Sequence, residues 1–262
     1  MKHISYRTGN PALNSKAFAS QSNSRRGAEM LEVMTIKGTV DKTAMGLFLL
    51  VFSAYYTFSP EMTYFIPIGV FGGLIVAIIT IFKKEWSPIT VPIYAILEGL
   101  ALGSISYIFN TTYEGIVVQA IGLTIAILAS LLLAYRSGII KATENFKLGV
   151  FAATGGIFLL YLASFIMSFF GASISVLDPT NSSLMSIGIS LFIVVIASLN
   201  LVIDFDFIEE GAENGAPKYM EWYGAFGLLV TLIWLYLELS LIHISEPTRQ
   251  EAISYAVVCL KK

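Results

Sequence analysis

Two long stretches of this chain are almost without charge. Between residues 45 and 81 the only charged side chain is Glu61, and between 148 and 203 the only one is Asp178. An average soluble domain is about a quarter charged and spreads those charges over its surface. Here 13% of residues are charged and 56% are hydrophobic, with a mean hydropathy of +0.75. Lipid is the solvent such a sequence requires, and the fold class it dictates is an all-α polytopic membrane protein. The net charge of −2 offers no basic surface to nucleic acid. The single cysteine excludes an internal disulfide framework.

A helix crosses the hydrocarbon core in about 20 residues. Apolar runs of that order occupy residues 44–58, 63–82, 89–109, 115–135 and 148–170. A sixth runs from about 183 past Asp204, and a seventh starts near Tyr223 and is interrupted at Glu238 or shortly after. The first is short unless it borrows residues 40–43. About seven transmembrane helices result, occupying 42–238 behind a polar tail, 1–41, whose Ser, Asn, Lys and Arg content predicts disorder. No apolar signal-peptide core precedes Asp41.

Basic residues alternate between connections. Arg7, Lys16, Arg25, Arg26, Lys37 and Lys42 precede the first span, Lys83 and Lys84 follow the second, and Arg136, Lys141 and Lys147 follow the fourth. The connections after spans one, three and five have no Lys or Arg. The positive-inside rule then places the N-terminus in the cytoplasm of a multi-pass protein of the cell (inner or plasma) membrane. Small residues recur four apart at Gly99 and Gly103 and again at Ser186 and Ser190, a spacing that lets helices pack closely in lipid.

Residues 239–262 (LSLIHISEPTRQEAISYAVVCLKK) resemble the conceptual translation of a sequencing-library adapter. On that reading Cys259 and His243 are not native, and His3 is the only native histidine.

Ionisable groups inside spans are costly and mark function by default. They are Glu98 in span three, Asp204 with Asp206 as an accessory acid in span six, and Glu238 in span seven. All are acids, and no Lys or Arg lies within a span to balance them. Such carboxylates hold a proton, share one, or bind a cation, and hard cations such as Ca2+ take oxygen ligands. Asp206, Glu209 and Glu210 lie close enough to a helix end for solvation to account for them, whereas Glu98 sits near the middle of its span. A proton-protonated packing acid is the plain alternative for Glu98.

The chemistry of enzymes is missing. No span before residue 239 has a histidine for nucleophilic or metal chemistry, none has a Schiff-base lysine, and no GxxxxGK[ST] loop occurs. The acids also lack the Gly-x-Gly-Asp context of an aspartyl intramembrane protease. Nothing calls for a cofactor, and the expectation is a non-enzyme.

Several segments together resemble the Bax inhibitor-1/YccA-like family, bacterial branch. They are 7–14 (RTGNPALN), 34–43 (MTIKGTVDKT), 98–103 (EGLALG), 198–209 (SLNLVIDFDFIE), 216–223 (APKYMEWY) and 234–238 (WLYLE). The resemblance implies a seven-helix bundle with the last helix central and surrounded by the other six. It also implies a pH-sensitive passive calcium leak, gated by an acid pair late in helix six and in helix seven. Asp204 matches the first acid, and Glu238 matches the second with glutamate for the more usual aspartate. Ca2+ would bind only transiently near them, with no fixed metal site, and H+ would be the regulator. Straight helices would offset the two acids by roughly 10–20 Å along the membrane normal. The family also suggests an alternative, a non-conducting interaction protein modulating a membrane-bound quality-control protease. An inverted repeat of the secondary-transporter kind is not seen.

Overall fold

The computed structural model describes residues 33–172, 174, 177 and 183–245. The polar tail expected over 1–41 lies outside the described residues except for its last nine, and so does the segment after Ser245. Among the described residues seven α-helices follow one another: α1 Ile36–Thr57, α2 Phe65–Phe82, α3 Ser87–Thr112, α4 Ile116–Arg136, α5 Glu144–Ser168, α6 Leu184–Glu213 and α7 Met220–Ser245. The final helix continues past Glu238 without a break. Short 3₁₀ turns, Pro60–Met62 and Lys84–Trp86, precede α2 and α3.

Local chemistry sets the boundaries. Side chains of Thr35, Thr143 and Ser183 cap α1, α5 and α6 by accepting from backbone N–H groups three residues on. Gly115 and Gly215, at φ 85° and 66°, make the tight reversals before α4 and α7, where a side chain would be strained.

Helices α2 to α7 are long and apolar enough to cross a membrane. The 22 residues of α1 are long enough, but Lys37, Asp41 and Lys42 at one end and Tyr55 and Tyr56 at the other dilute its hydropathy. Its packing places it at the same depth as its neighbours. Gly99 and Gly103 of α3 meet Leu50 and Thr57 of α1, while Gly46 and Thr39 of α1 meet Leu229 and Gly224 of α7. The order of these contacts makes α1, α3 and α7 parallel. Contacts of Ile208 with Gly224 and of Asp204 with Gly227 make α6 antiparallel to α7.

The core is built inside out relative to a soluble bundle. The buried stripe of α1 is Thr39, Thr43, Gly46, Leu50, Ser53 and Thr57, spaced three or four apart, while Phe48, Phe52 and Tyr55 face outward. Small residues inside let backbones approach, and large apolar ones face lipid, as association in a bilayer requires. The hydroxyls of Thr39, Thr43 and Ser53 donate to carbonyls four residues back, so none is left unpaired in the membrane.

The last helix is central. Of its most apolar window 72% is buried, against 17% for α2 and α4 and 11% for α5. It packs chiefly on α1, α3, α4 and α6, whereas α2 packs on α3. A Cβ at Gly99 or Gly103 would run into α1 backbone carbonyls, and Ser186 of the second four-residue spacing is likewise buried. All described Lys and Arg residues gather at one end of the bundle: Lys37, Lys42, Lys83, Lys84, Arg136, Lys141, Lys147 and Lys218.

Candidate functional site

The acids of the spans fall into separate environments. Asp204 sits in the seam between α6 and α7, where its Oδ2 accepts from the Thr231 hydroxyl at 2.7 Å. Gly227 admits it: a methyl there would lie 3.2 Å from the other carboxylate oxygen. From the start of α7 at Met220, Gly227 and Thr231 are seven and eleven residues in, or about 10 and 16 Å. Asp204 therefore lies inside the bundle and not at its rim.

Glu238 is buried, with 4% of its surface exposed. One oxygen accepts from the indole N–H of Trp234 at 3.1 Å and from the hydroxyl of Tyr161 on α5. Seven residues separate Thr231 from Glu238 on α7, about 10 Å along the axis. No hydrogen bond among the described residues joins Asp204 to Glu238; each carboxylate has its own neutral partners. Glu98, half-buried, packs over Gly73 of α2, with its Oε1 where a Gly73 side chain would be. Among the described residues no hydrogen bond or ion pair links it to the other two acids.

Asp206 belongs to the basic end. It pairs with Lys147 at 2.7 Å and accepts a 3.4 Å hydrogen bond from Tyr135. That pairing is one of three links, seven residues apart, along a single face of α5. Thr154 accepts from the Asn200 amide of α6 at 2.8 Å, and Tyr161 donates to Glu238. Only Val150 and Ile157 of α5 are buried; Ile157 packs on Ile193 and Ile196 of α6, and the polar links add to that contact. Such links average about 0.6 kcal/mol each within membranes.

Sequence reasoning gave no role to Glu221. It is fully buried and pairs with Lys42 at 3.0 Å and Lys218 at 3.2 Å. The backbone N–H and hydroxyl of Thr35 donate to it at 3.0 and 2.8 Å. Gly38 leaves the room its carboxylate fills. Beside it the N–H of Met34 donates to the Ala216 carbonyl at 2.7 Å, fastening the lead-in of α1 to the turn before α7. A signal was present in the segment 216–223, where an acid stands at the start of an apolar helix, a position the helix dipole favours.

A helical bundle around a central last helix, carrying carboxylates in its spans with only neutral partners, defines a polytopic membrane protein with an acidic interior. The family model described as Bax inhibitor 1 like matches residues 10–245, and the chain belongs to that family. Comparisons with curated proteins and with solved structures give no match.

Proposed function

We propose that this protein is a passive, pH-sensitive cation leak pathway, with calcium as the cation and Asp204 and Glu238 as its sensing acids. The observation that carries the reading is that, among the described residues, Asp204 and Glu238 are met inside the bundle by hydroxyl and indole donors and by no Lys or Arg. Without a Lys or Arg counter-charge, a carboxylate in low dielectric takes up a proton or a cation. Protons and Ca2+ then compete for the same oxygens, so acidification at fixed calcium lowers occupancy and flux. Among the described residues no three His, Cys, Asp or Glu side chains come together as a metal site; calcium here is cargo passing single carboxylates. Conduction favours such weak sites, because an ion must also leave.

Tyr161 connects this chemistry to movement. A proton or cation on Glu238 alters its hydrogen bond to α5, the least buried helix. Glu98 lines the path from the α2–α3 side in this proposal, and Asp206 is an accessory acid that ties α5 to α6 at its far end.

The gathering of basic residues at one end supports a cytoplasmic position for that end, in a bacterial inner membrane. Reporter fusions within 136–147 that read as external would contradict it. The function is tested by calcium uptake into proteoliposomes between about pH 5 and pH 8. Wild type should conduct with a steep pH dependence, and Asp204→Asn and Glu238→Gln should each flatten it. A second reading, an interaction protein that modulates a membrane protease, draws on the clasp that holds the chain's lead-in at the basic end. Absence of flux above empty vesicles at every pH would favour it.

A further inference from the structure

Between α1 and α4 a groove of about 960 Å³ opens sideways from the basic end of the bundle. Both helices pack on α7, which closes the groove behind them. Val40 and Leu47 form one wall, Leu128 and Leu132 the other, and Leu232 of α7 lies at the back. Along α1 the lining runs from Ile36 to Leu47, eleven residues or about 16 Å, close to half the roughly 30 Å hydrocarbon core. The volume lies at the upper end of the range typical of ligand pockets, about 300–1,000 Å³.

The mouth has a charge pattern of its own. Arg136 and Lys141 line it, and both are exposed. Neither has an ion pair among the described residues. The acids beside them are engaged: Asp206 with Lys147, and Glu209 as acceptor from the Tyr135 hydroxyl. Among the described residues, the two unpaired cations Arg136 and Lys141 thus outnumber the one lining acid without an ion pair, Glu209, above an apolar slot one leaflet deep.

We infer that this groove is a binding site for an anionic membrane phospholipid. One acyl chain lies between α1 and α4, and the headgroup phosphate is held by Arg136 and Lys141. Arginine suits this role because its planar fork pairs with phosphate oxygens in a bidentate manner. Charge complementarity selects this occupant over the chain's own N-terminal segment, whose Arg7, Lys16, Arg25 and Arg26 would meet like charge at the mouth.

The test uses the full chain in nanodiscs of phosphatidylglycerol and phosphatidylcholine, with retained lipid counted by native mass spectrometry after release. Phosphatidylglycerol should be retained in preference, and Arg136→Gln with Lys141→Gln should reduce that retention on the order of tenfold. Lys83→Gln with Lys84→Gln, at the same end but away from the groove, should leave it unchanged. A photoreactive residue replacing Leu132 in an otherwise native chain should capture lipid mass. Equal retention of both lipids, an equal loss in the Lys83 and Lys84 control, or capture of the N-terminal segment or a second copy would each overturn the assignment.

Discussion

Helix α1 packs directly on the central α7, whereas α5 packs on α6 and reaches α7 through Tyr161, and the two are held in the bundle by different means. On α1 the buried stripe is made of small residues apart from Leu50, its backbone touches Gly99 and Gly103 of α3, and its first turn is clasped by Glu221. On α5 only two residues are buried, and the glycines at 149, 155 and 156 face open space. Its hold on the bundle includes Lys147–Asp206, Asn200–Thr154 and Tyr161–Glu238. Close packing in a bilayer gives a fixed helix, because side chains that interlock have one arrangement. Polar links give a helix whose attachment depends on protonation state. Under the proposed function, α1 is the scaffold and α5 the moving part, with Glu238 as the acid that senses on behalf of α5.

The contrast can be broken most severely at Gly103. Gly103→Leu forces a side chain into the α1 backbone and should cost about 3 kcal/mol. A lowered unfolding midpoint in detergent, or loss of folded protein, checks it. Glu221→Ala should come next. It leaves Lys42 and Lys218 facing each other without their shared acid, and breaking a buried pair costs about 3 kcal/mol. Rehydration of the half-exposed Lys218 lowers this somewhat. Thermal unfolding should show the loss, with proteolysis beginning near Thr35.

Smaller effects are expected on α5. Tyr161→Phe removes one hydrogen bond, worth about 0.6–1.7 kcal/mol in a membrane. Amide exchange should rise in α5 while α1 and α3 stay protected. Gly155→Ala should be neutral or stabilising by about 0.5 kcal/mol, because the methyl meets nothing and alanine favours helix. A loss comparable to that of Gly103→Leu would mean α5 is packed as tightly as α1.

The spans themselves were readable because hydropathy is a property of the chain, and six of the seven lie close to the apolar runs. The start of α1 was not. Lys37 and Asp41 read as tail, yet they belong to a helix beginning at Ile36, whose Lys42 meets Glu221. That clasp joins residues as far apart as Thr35 and Glu221, 186 positions, and local pattern carries no such information. The spacing of small residues was readable in α3, where Gly99 and Gly103 meet α1, but it did not say which helix would be the partner. The span acids could be picked out by their cost in lipid. What could not be picked out was their neighbours, since Thr231, Trp234 and Tyr161 are ordinary residues of apolar helices until packing brings them to Asp204 and Glu238.

The most direct test asks whether α5 moves when α1 does not. Spin labels at Phe165 and Ile108, with Cys259 replaced by serine, report the distance between α5 and α3 in proteoliposomes. Labels at Val51 and Ile108 report the distance between α1 and α3. Between about pH 5 and pH 8 the first distribution should shift or broaden while the second stays fixed. Glu238→Gln should abolish the change in the first. An α5–α3 distance that holds constant while calcium flux varies with pH, or an α1 that moves as far as α5, would contradict the account.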